Sequence, residues 1–294
     1  MSRVEVKKTY KLYVGGAFPR SESGRSYAVS DTRGRFLANA ALGSRKDARD
    51  AVVAARKAQP GWAGATGYNR GQVLYRVAEV MESRKAQFVE EVRLAEGVTA
   101  ARATALVEAA IDRWVWYAGW ADKYPQVLGG LNPVAGPFFN ISVPEATGVV
   151  AALAPQQSSL LGLVSVLAPI VVSGNTAVVL ASHDRPVPAI TLSESLATSD
   201  VPGGVVNVLT GDPAEMAPWL ASHRDVNAID LTGVADTDLD WADLERAGAD
   251  NLKRVRRPLV TDHGATEPDW ITSPGLGRLE SFLETKTVWH PKGR

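Results

Sequence analysis

The side chains of this sequence offer little for covalent or metal-assisted chemistry. Its 294 residues include no cysteine, so no protein thiolate is available as a nucleophile or as a metal ligand. The four histidines are scattered without metal-ligand spacing, and we expect structural roles for them. Ser158 and Ser159 lie near the expected mouth of a site, but no histidine is placed by the sequence to activate them. Capping of the next helix is therefore the favoured role for these serines.

The composition is that of an ordinary soluble globular protein. Hydrophobic residues make up 45% and charged residues 22%, and 32 basic residues balance 32 acidic ones. Without a basic excess, no nucleic acid or anionic membrane is indicated as a partner. The longest apolar stretch, residues 160–172, is interrupted by Gly162 and Pro169 and is shorter than the roughly 20 residues of a membrane span. The amino terminus has no apolar signal core, so we expect a cytoplasmic protein.

The amino-terminal part is predicted to begin with a hairpin and a capped helix. Residues 10–18 are typical of a strand pair that turns at Gly15. Ser44, with Asp47 three residues later, is typical of a helix N-terminus because the hydroxyl caps the helix and the acid favours its positive end. We expect this first helix to stop at Pro60.

Two longer helices are predicted to follow. Apolar residues recur every three or four positions over residues 69–96 and again over residues 100–123, and Gly97 separates the two segments. The tryptophans of the second segment are expected to be core or interface residues, because no basic groove accompanies them. The two segments therefore predict a helical layer before the first buried strand.

From residue 148 onward, short apolar runs alternate with segments of helical periodicity. The alternation predicts right-handed βαβ units and a Rossmann-like parallel sheet with flanking helices. Ligands of such domains bind at the carboxyl ends of the strands, but no G-x-G-x-x-G follows the first strand, so the pattern alone indicates no dinucleotide. The predicted strands cover residues 148–154, 177–180, 205–209 and 228–232, and the predicted helices cover residues 159–172, 188–199 and 214–222.

Less regular structure is predicted on either side of this alternation. Residues 133–142 are expected to be extended, residues 259–272 to form a loop, and residues 279–283 to form a short helix. Residues 284–289 alternate as an edge strand does. Because a lone strand is rarely stable, we expect it to pair with another sheet, including one in a partner.

Several segments, taken in order along the chain, resemble aldehyde dehydrogenases. Residues 109–123 (AAIDRWVWYAGWADK) resemble the long helix before the cofactor domain, and residues 144–150 (PEATGVV) resemble that domain's entry strand. Residues 202–211 (PGGVVNVLTG) are similar to the third strand, and residues 232–233 to the end of the next. Residues 284–288 (ETKTV) resemble the C-terminal strand that in this family inserts into a neighbouring subunit's sheet. The resemblance covers most of the chain.

The resemblance implies a division of the chain. Residues 1–124 are expected to form an N-terminal hairpin and helical layer, and residues 147–258 a Rossmann-like cofactor-type domain. Residues 125–146 and 279–294 are expected to form a three-stranded β flap for oligomerisation. Residues 259–278 are expected to be a linker that replaces the family's catalytic domain.

The catalytic residues that the resemblance implies are missing. The family's nucleophilic cysteine forms a thiohemiacetal with the aldehyde, and this sequence has none. The glutamate that activates the hydrolytic water would fall near Pro258, which cannot accept a proton. The asparagine that holds the oxyanion corresponds to Gln157, whose amide is one methylene farther from the backbone. No catalytic residue is therefore assigned.

The cofactor positions that the resemblance implies are also altered. The family's ribose-binding lysine aligns with Leu180, and its acidic neighbour with His183. Where the family places a Gly-Ser-Thr-x-x-Gly run against the pyrophosphate, this sequence has Asp236 and Asp238, which we expect to cap a helix in a vacated anion site. No cofactor is therefore expected, although weak NAD or NADP binding is compatible with this remnant. Its vestigial cofactor-binding residues are Pro155, Gln157, Ser182, Gly211, Thr232 and Gly233.

These features predict a non-catalytic, aldehyde dehydrogenase-like subunit that is a structural or regulatory partner of an active NAD(P)-dependent aldehyde dehydrogenase, or that binds itself. It resembles the cysteine-lacking second module of double-module aldehyde dehydrogenases. Two alternatives remain open: an NAD(P)-binding oxidoreductase with a rewired site, and a nucleotide or metabolite sensor. Neither a metal nor a nucleic acid is expected as a ligand. The expected interface residues are Phe138, Ile141, Val143, Glu284, Thr285, Lys286, Thr287 and Val288.

Overall fold

The computed structural model describes residues 6–292, in which helices cover both faces of a central sheet. The strands are β1 (Thr9–Tyr10), β2 (Ser26–Ser30), β3 (Phe36–Ala41), β4 (Gly130–Asn132), β5 (Phe138–Ala146), β6 (Val149–Leu153), β7 (Thr176–Leu180), β8 (Val206–Leu209), β9 (Ala228–Asp230), β10 (Arg254–Arg256), β11 (Leu259–Thr261), β12 (Gly264–Thr266) and β13 (Leu283–Pro291). The helices are α1 (Arg45–Gly64), α2 (Gly67–Ser83), α3 (Lys85–Glu96), α4 (Ala100–Ala118), α5 (Tyr124–Leu128), α6 (Leu161–Val172), α7 (Val187–Ala197), α8 (Pro213–Ser222), α9 (Trp241–Gly248) and α10 (Gly277–Glu280).

The central sheet is parallel, with the strand order β10-β9-β6-β7-β8. Every residue of β6 and β7 is buried, because a parallel sheet covered by helices requires apolar side chains on both faces. The Rossmann-like α/β fold that the sequence predicts is therefore confirmed. β10 was not predicted, because its three residues include two arginines and it pairs only with β9 at the edge of the sheet.

The sheet separates two hydrophobic cores. Val150 and Ala152 of β6 face the core that contains side chains of α2, α4, α6 and α7. Val149 and Ala151 alternate with them and face the core that contains side chains of α1 and α8. Within residues 6–292, no helix combines the length and the apolar composition that a membrane span requires.

The predicted amino-terminal hairpin is only partly correct. Val14 bridges Ala17 across a turn in which Gly15 has a φ of 63°, as expected for a tight turn. The backbone N–H of Leu12 also donates to the carbonyl of Pro19 at 3.1 Å, but the pairing across the turn goes no further. Tyr13 instead bridges Val208 of β8, and β1 pairs in parallel with β3, whose antiparallel neighbour is β2. The long β2–β3 hairpin was not predicted.

The start of α1 is as predicted, but its end is not. Ser44 and Asp47 form a reciprocal capping box, in which each side chain accepts a hydrogen bond from the other residue's backbone. Pro60 lies inside the helix, which continues to Gly64. The last turn is anchored by the buried Trp62, whose indole Nε1 donates to the carbonyl of Val171 at 2.8 Å. Burial of this ring offsets the one backbone hydrogen bond that a proline removes.

The two long predicted helices are shorter in the structure. The segment 69–96 is divided into α2 and α3 at Arg84, which has a non-helical φ of −105°. Gly97 ends α3 with a left-handed φ of 68°, as its position predicts. The segment 100–123 is helical only to Ala118, and α5 begins separately at Tyr124.

The flap consists of β13, β5 and β4 in that order, all antiparallel. This is the three-stranded sheet that the resemblance implies. β13 is not an orphan strand, because all nine of its residues pair with β5 of the same chain, from Leu283 opposite Ala146 to Pro291 opposite Phe138. Its other edge is the outer edge of this three-stranded sheet.

Residues 257–282 connect the central sheet to the flap. The loop expected over residues 259–272 contains an antiparallel hairpin, β11–β12. Trp270 is buried in the first core, and its carbonyl accepts a hydrogen bond from the guanidinium of Arg113 at 2.7 Å. The short helix expected over residues 279–283 is α10, which begins two residues earlier and ends at Glu280.

Candidate functional site

The structure brings the predicted cofactor residues to one edge of the sheet. Each lies just after the carboxyl end of a parallel strand, which is where open α/β sheets bind ligands. Pro155 and Gln157 follow β6, Ser182 follows β7, Gly211 follows β8, and Thr232 and Gly233 follow β9. All of these except Gln157 are buried.

The polar groups at this edge have partners within the chain. The hydroxyl of Ser182 donates to the carbonyl of Gln156 at 3.0 Å. The backbone N–H of Gln157 donates to the carboxylate of Glu267 at 2.7 Å. The backbone N–H of Thr232 donates to the carboxylate of Asp230 at 2.8 Å. These groups are therefore engaged in internal hydrogen bonds.

Gly233 brings β9 and β6 into close contact. A Cβ atom at this position would lie 2.2 Å from the carbonyl oxygen of Ala154 and 2.4 Å from that of Leu153. No side chain fits at such distances, so only glycine allows this approach. The backbone here packs against backbone rather than against open space.

The aligned ribose-binding positions do not supply the expected donors. Leu180 is 2% exposed and belongs to the second core. The ring of His183 stacks on Tyr27 with 4.8 Å between ring centroids, and its Nδ1 is buried without a partner in residues 6–292. Leu180 has no polar side-chain atom, and His183 replaces a carboxylate with a ring whose Nδ1 is buried, so these residues do not fit a dinucleotide in the way that the resemblance implies.

The two aspartates expected to cap a helix do not do so. Asp236 is exposed and has a φ of 61°, and Asp238 is also exposed. α9 begins later, and its N-cap is Asp240, whose carboxylate accepts a hydrogen bond from the backbone N–H of Ala242 at 2.8 Å. Residues 232–234 form only a short 3-10 turn, so within residues 6–292 no α-helix begins directly after β9, where the resemblance implies the anion-binding helix N-terminus.

The aligned catalytic positions hold no acid or base. Pro258 is buried after β10. Ser158 accepts a hydrogen bond from the backbone N–H of Gly162 in the first turn of α6 at 2.9 Å, but the N-cap of this helix is Leu160 and not the predicted serine. Ser159 donates to the carboxylate of Glu96 at 2.7 Å. Burial raises the pKa of the Glu96 carboxyl. The hydrogen bonds that this carboxyl accepts from the hydroxyl and the backbone N–H of Ser159 oppose that rise.

A group of buried charges next to this edge was not predicted. Asp230 ends β9, is fully buried, and pairs with Arg278 of α10 at 2.9 Å. Arg113 of α4 and Arg256, the last residue of β10, join Arg278 in lining a cavity of about 280 Å³. We call Arg113, Arg256 and Arg278 the arginine cluster. The only local sequence signal was a charged residue, Arg113, within an apolar helical stripe.

The predicted interface residues lie on both faces of the flap. Because side chains alternate along a strand, the paired residues Ile141 and Val288 share one face, and Thr285 and Thr287 lie on the other. The first face, which we call the apolar face, also contains Glu284 and Lys286, whereas Phe138 lies on the opposite face. The exposed apolar side chains of the apolar face are Leu131, Phe139, Ile141, Val143 and Val288.

The sequence model that describes the aldehyde dehydrogenase family matches residues 18–256. The chain belongs to the aldehyde dehydrogenase family. The cytosolic 10-formyltetrahydrofolate dehydrogenase of Mus musculus is 28% identical over 87% of this chain and 29% of its own length. Retinal dehydrogenase 2 of Gallus gallus is 30% identical over 86% of this chain and 48% of its own length. The chain thus spans half or less of the length of these curated relatives.

Two solved structures superimpose on most of the chain. The HpcC protein of Thermus thermophilus has a TM-score of 0.78 and 26% identity, over 84% of this chain and 47% of that one. The betaine aldehyde dehydrogenase of Staphylococcus aureus, solved in complex with NAD+, has a TM-score of 0.76 and 21% identity over 83% of this chain and 50% of that one. The second likeness shows the fold alone.

Proposed function

We propose that this chain is a non-catalytic aldehyde dehydrogenase-like subunit that assembles with an active NAD(P)-dependent aldehyde dehydrogenase. The observation that carries the proposal is the apolar face of the flap. Its five apolar side chains are between 41% and 65% exposed and are adjacent across three strands. Contiguous apolar surface of this kind is typical of a protein interface.

The geometry of the catalytic positions supports the non-catalytic part of the proposal. β10 ends beside Pro258, where the family's glutamate would stand, and the sequence provides no thiol. Residues 257–282 pass from β10 to the flap through one hairpin and one helical turn. This connection is part of the packed fold, because Trp270 and Leu279 are buried within it. The 26 residues between β10 and β13 are therefore a short packed connection and do not form a further domain.

The edge of β13 supports the assembly part of the proposal. One edge of β13 pairs with β5, and the other is the outer edge of the three-stranded sheet. An unpaired strand edge next to an apolar face is suited to pairing with a strand of another chain. The partner that we propose is a full-length aldehyde dehydrogenase.

The assembly is tested by co-expression with a full-length aldehyde dehydrogenase of the source organism, followed by size-exclusion chromatography with light scattering. We expect a mixed oligomer with the wild-type chain. Val288→Glu places a charge on the apolar face and is expected to abolish it. Val53→Glu makes the same change at an exposed valine of α1, outside the flap, and serves as the matched control. A mixed oligomer that survives Val288→Glu, with circular dichroism unchanged, would contradict the proposal.

We also infer that the chain alone binds dinucleotides weakly or not at all. The inference is supported by the buried Leu180, by the stacked His183 and by the 3-10 turn at Gly233, which stands where the resemblance implies a helix N-terminus. The betaine aldehyde dehydrogenase of Staphylococcus aureus, which shares the fold, was solved in complex with NAD+, so NAD is a suitable ligand for the test. Calorimetric titration with NAD and NADP is expected to give no saturable heat below about 1 mM, a free energy of roughly −4 kcal/mol. Micromolar binding, or reduction of either dinucleotide by a simple aldehyde, would favour the oxidoreductase or sensor alternatives.

A further inference from the structure

The arginine cluster lies where two parallel strands end. Asp230 and Arg256 are the last residues of β9 and β10, and the cavity that the cluster lines is bordered by residues 268–278. This is the carboxyl edge of the sheet, at which α/β domains bind their ligands. The residues that line the cavity lie outside the predicted cofactor site.

Positive charge exceeds negative charge around this cavity. Asp230 is the only carboxylate within ion-pairing distance of the cluster in residues 6–292, and it pairs with Arg278. Asp269 stands at the rim of the cavity, where its carboxylate accepts the backbone N–H of Ile271 at 3.0 Å. Three guanidinium groups therefore face one buried and one exposed carboxylate.

Two of the guanidinium groups have only neutral partners. Arg113 donates to the hydroxyl of Ser165 at 2.9 Å and to the carbonyls of Trp270 and Thr272 at 2.7 and 3.0 Å. It is 7% exposed. Burial lowers its pKa, and repulsion from Arg278 lowers that pKa further. A cation held in this way lacks the counter-charge that buried ions ordinarily have.

Arg256 is the least satisfied member of the cluster. Its Nη1 donates to the hydroxyl of Ser281 at 2.7 Å and to the carbonyl of Gly277 at 3.3 Å. Its Nε is shielded from water and has no hydrogen-bond partner in the described residues. Burial, and then repulsion from Arg278, lowers the pKa of this guanidinium. A buried donor without a partner calls for an acceptor that is not part of the chain.

We propose that this cavity binds a small oxyanion, a carboxylate or phosphate group, through the guanidinium groups of Arg113 and Arg256. A planar guanidinium presents a fork of donors that matches two oxygens of such a group. Arg278 contributes less to binding, because its Nη1 is held by Asp230 and its guanidinium lies 5.0 Å above the ring of Trp270. The site does not depend on the role of the chain as a subunit.

The test is calorimetric titration of the full chain at low salt with inorganic phosphate and, separately, with malonate. At least one anion is expected to bind with a Kd of about 1 mM or tighter, and the one preferred identifies the group. Arg256→Gln is expected to weaken binding at least about tenfold, because a charge-assisted hydrogen bond is lost. The matched control is Arg254→Gln, two residues earlier on the same strand, whose guanidinium pairs with Glu284 instead. It is expected to change the Kd less than about twofold.

A conservative variant protects the test against a folding defect. Arg256→Lys keeps the charge but loses the fork, so it is expected to bind roughly threefold more weakly than the wild type. It replaces Arg256→Gln if that variant loses the wild-type circular dichroism spectrum. Binding of neither anion to the wild type, or equal binding by the wild type and the folded Arg256 variant, would overturn the proposal.

Discussion

The carboxyl edge of the sheet and the flap differ in which side chains they bury and which they expose. At the carboxyl edge, all of the residues aligned with the family's cofactor site except Gln157 are buried, and polar groups such as those of Ser182 and Thr232 are hydrogen-bonded inside the chain. In the flap, apolar side chains such as Leu131 and Ile141 stand in solvent, and β13 leaves one edge at the border of the sheet. The first region satisfies most of its polar groups internally, whereas the second exposes the surface on which the proposed assembly depends.

The difference shows which region has the features that catalysis needs and which has the features that assembly needs. Chemistry needs unsatisfied polar groups in a cleft, and the aligned positions offer a buried Leu180 and a buried Pro258. Assembly needs apolar surface and a strand edge, and the flap offers both. The arginine cluster is an exception to the first statement, because it combines burial with an unpartnered donor at Arg256.

The largest expected effect comes from removing the buried carboxylate of the carboxyl edge. Asp230→Asn keeps the shape of the side chain and an oxygen for the N–H of Thr232, but it leaves three guanidinium groups without a buried counter-charge. The free energy of unfolding is expected to fall by about 3–5 kcal/mol, as is typical when one partner of a buried ion pair is lost. Urea unfolding followed by circular dichroism measures it.

An exposed pair of the same chemistry provides the control for that variant. Asp243→Asn breaks the ion pair with Arg246, in which the two side chains are 67% and 73% exposed. Its effect is expected to stay within about 0.5 kcal/mol, because water and salt screen exposed pairs. If the two variants lost the same free energy of unfolding, burial of the Asp230–Arg278 pair would not make it more important for stability than an exposed pair.

The features that local sequence pattern determines were predictable. The apolar runs of β6 (residues 149–153) and β7 (residues 177–180) and the cap at Ser44 are short-range signals, and the structure has them as predicted. Phe138, Ile141 and Val143 were assigned to one interface from the resemblance, and this assignment stays a prediction. Alternation along β5 places Phe138 on the opposite face of the strand from Ile141 and Val143.

Features that depend on distant partners were not predictable. α1 passes through Pro60 because Trp62 is held by the carbonyl of Val171, more than 100 residues away. The Asp230–Arg278 pair spans 48 residues, and Arg113 finds its carbonyl at Trp270. A single sequence contains no local signal for such contacts, so the arginine cluster becomes visible only in the folded chain.

A smaller effect is expected from two glycines, one from each region. Gly233→Ala would place a Cβ 2.2 Å from the carbonyl of Ala154, so β9 and β6 must move apart. The expected loss in the free energy of unfolding is about 2–3 kcal/mol, in the range of overpacked cores. Gly130→Ala in the flap meets no atom within 4 Å and is expected to change stability by less than about 0.5 kcal/mol. Thermal unfolding of both variants compares the regions directly, and a tolerated Gly233→Ala would mean that the carboxyl edge is open enough to admit a ligand.

The smallest effect concerns Glu91 of α3, an acid that is largely but not fully buried, and it depends on pH. Glu91 accepts hydrogen bonds from Gln87 and Thr191, its second oxygen is buried without a partner in residues 6–292, and burial raises its pKa to about 7. The folded chain therefore holds this proton more tightly than the unfolded chain. The resulting stability is fully present below about pH 4.5 and is lost as the pH rises through 7.

Glu91→Gln keeps an oxygen acceptor without the charge, so it is expected to be more stable than the wild type at pH 8 and similar to it at pH 4.5. The gain at pH 8 should not exceed about 2 kcal/mol, because the residue is partly exposed. Glu145→Gln in the flap removes an exposed carboxylate that pairs with Lys286, and its difference from the wild type should not vary with pH in this way. Unfolding midpoints measured at both pH values decide the matter. If Glu91→Gln followed the wild type at every pH, the partial burial of Glu91 would impose no more cost on a charge than exposure in the flap does.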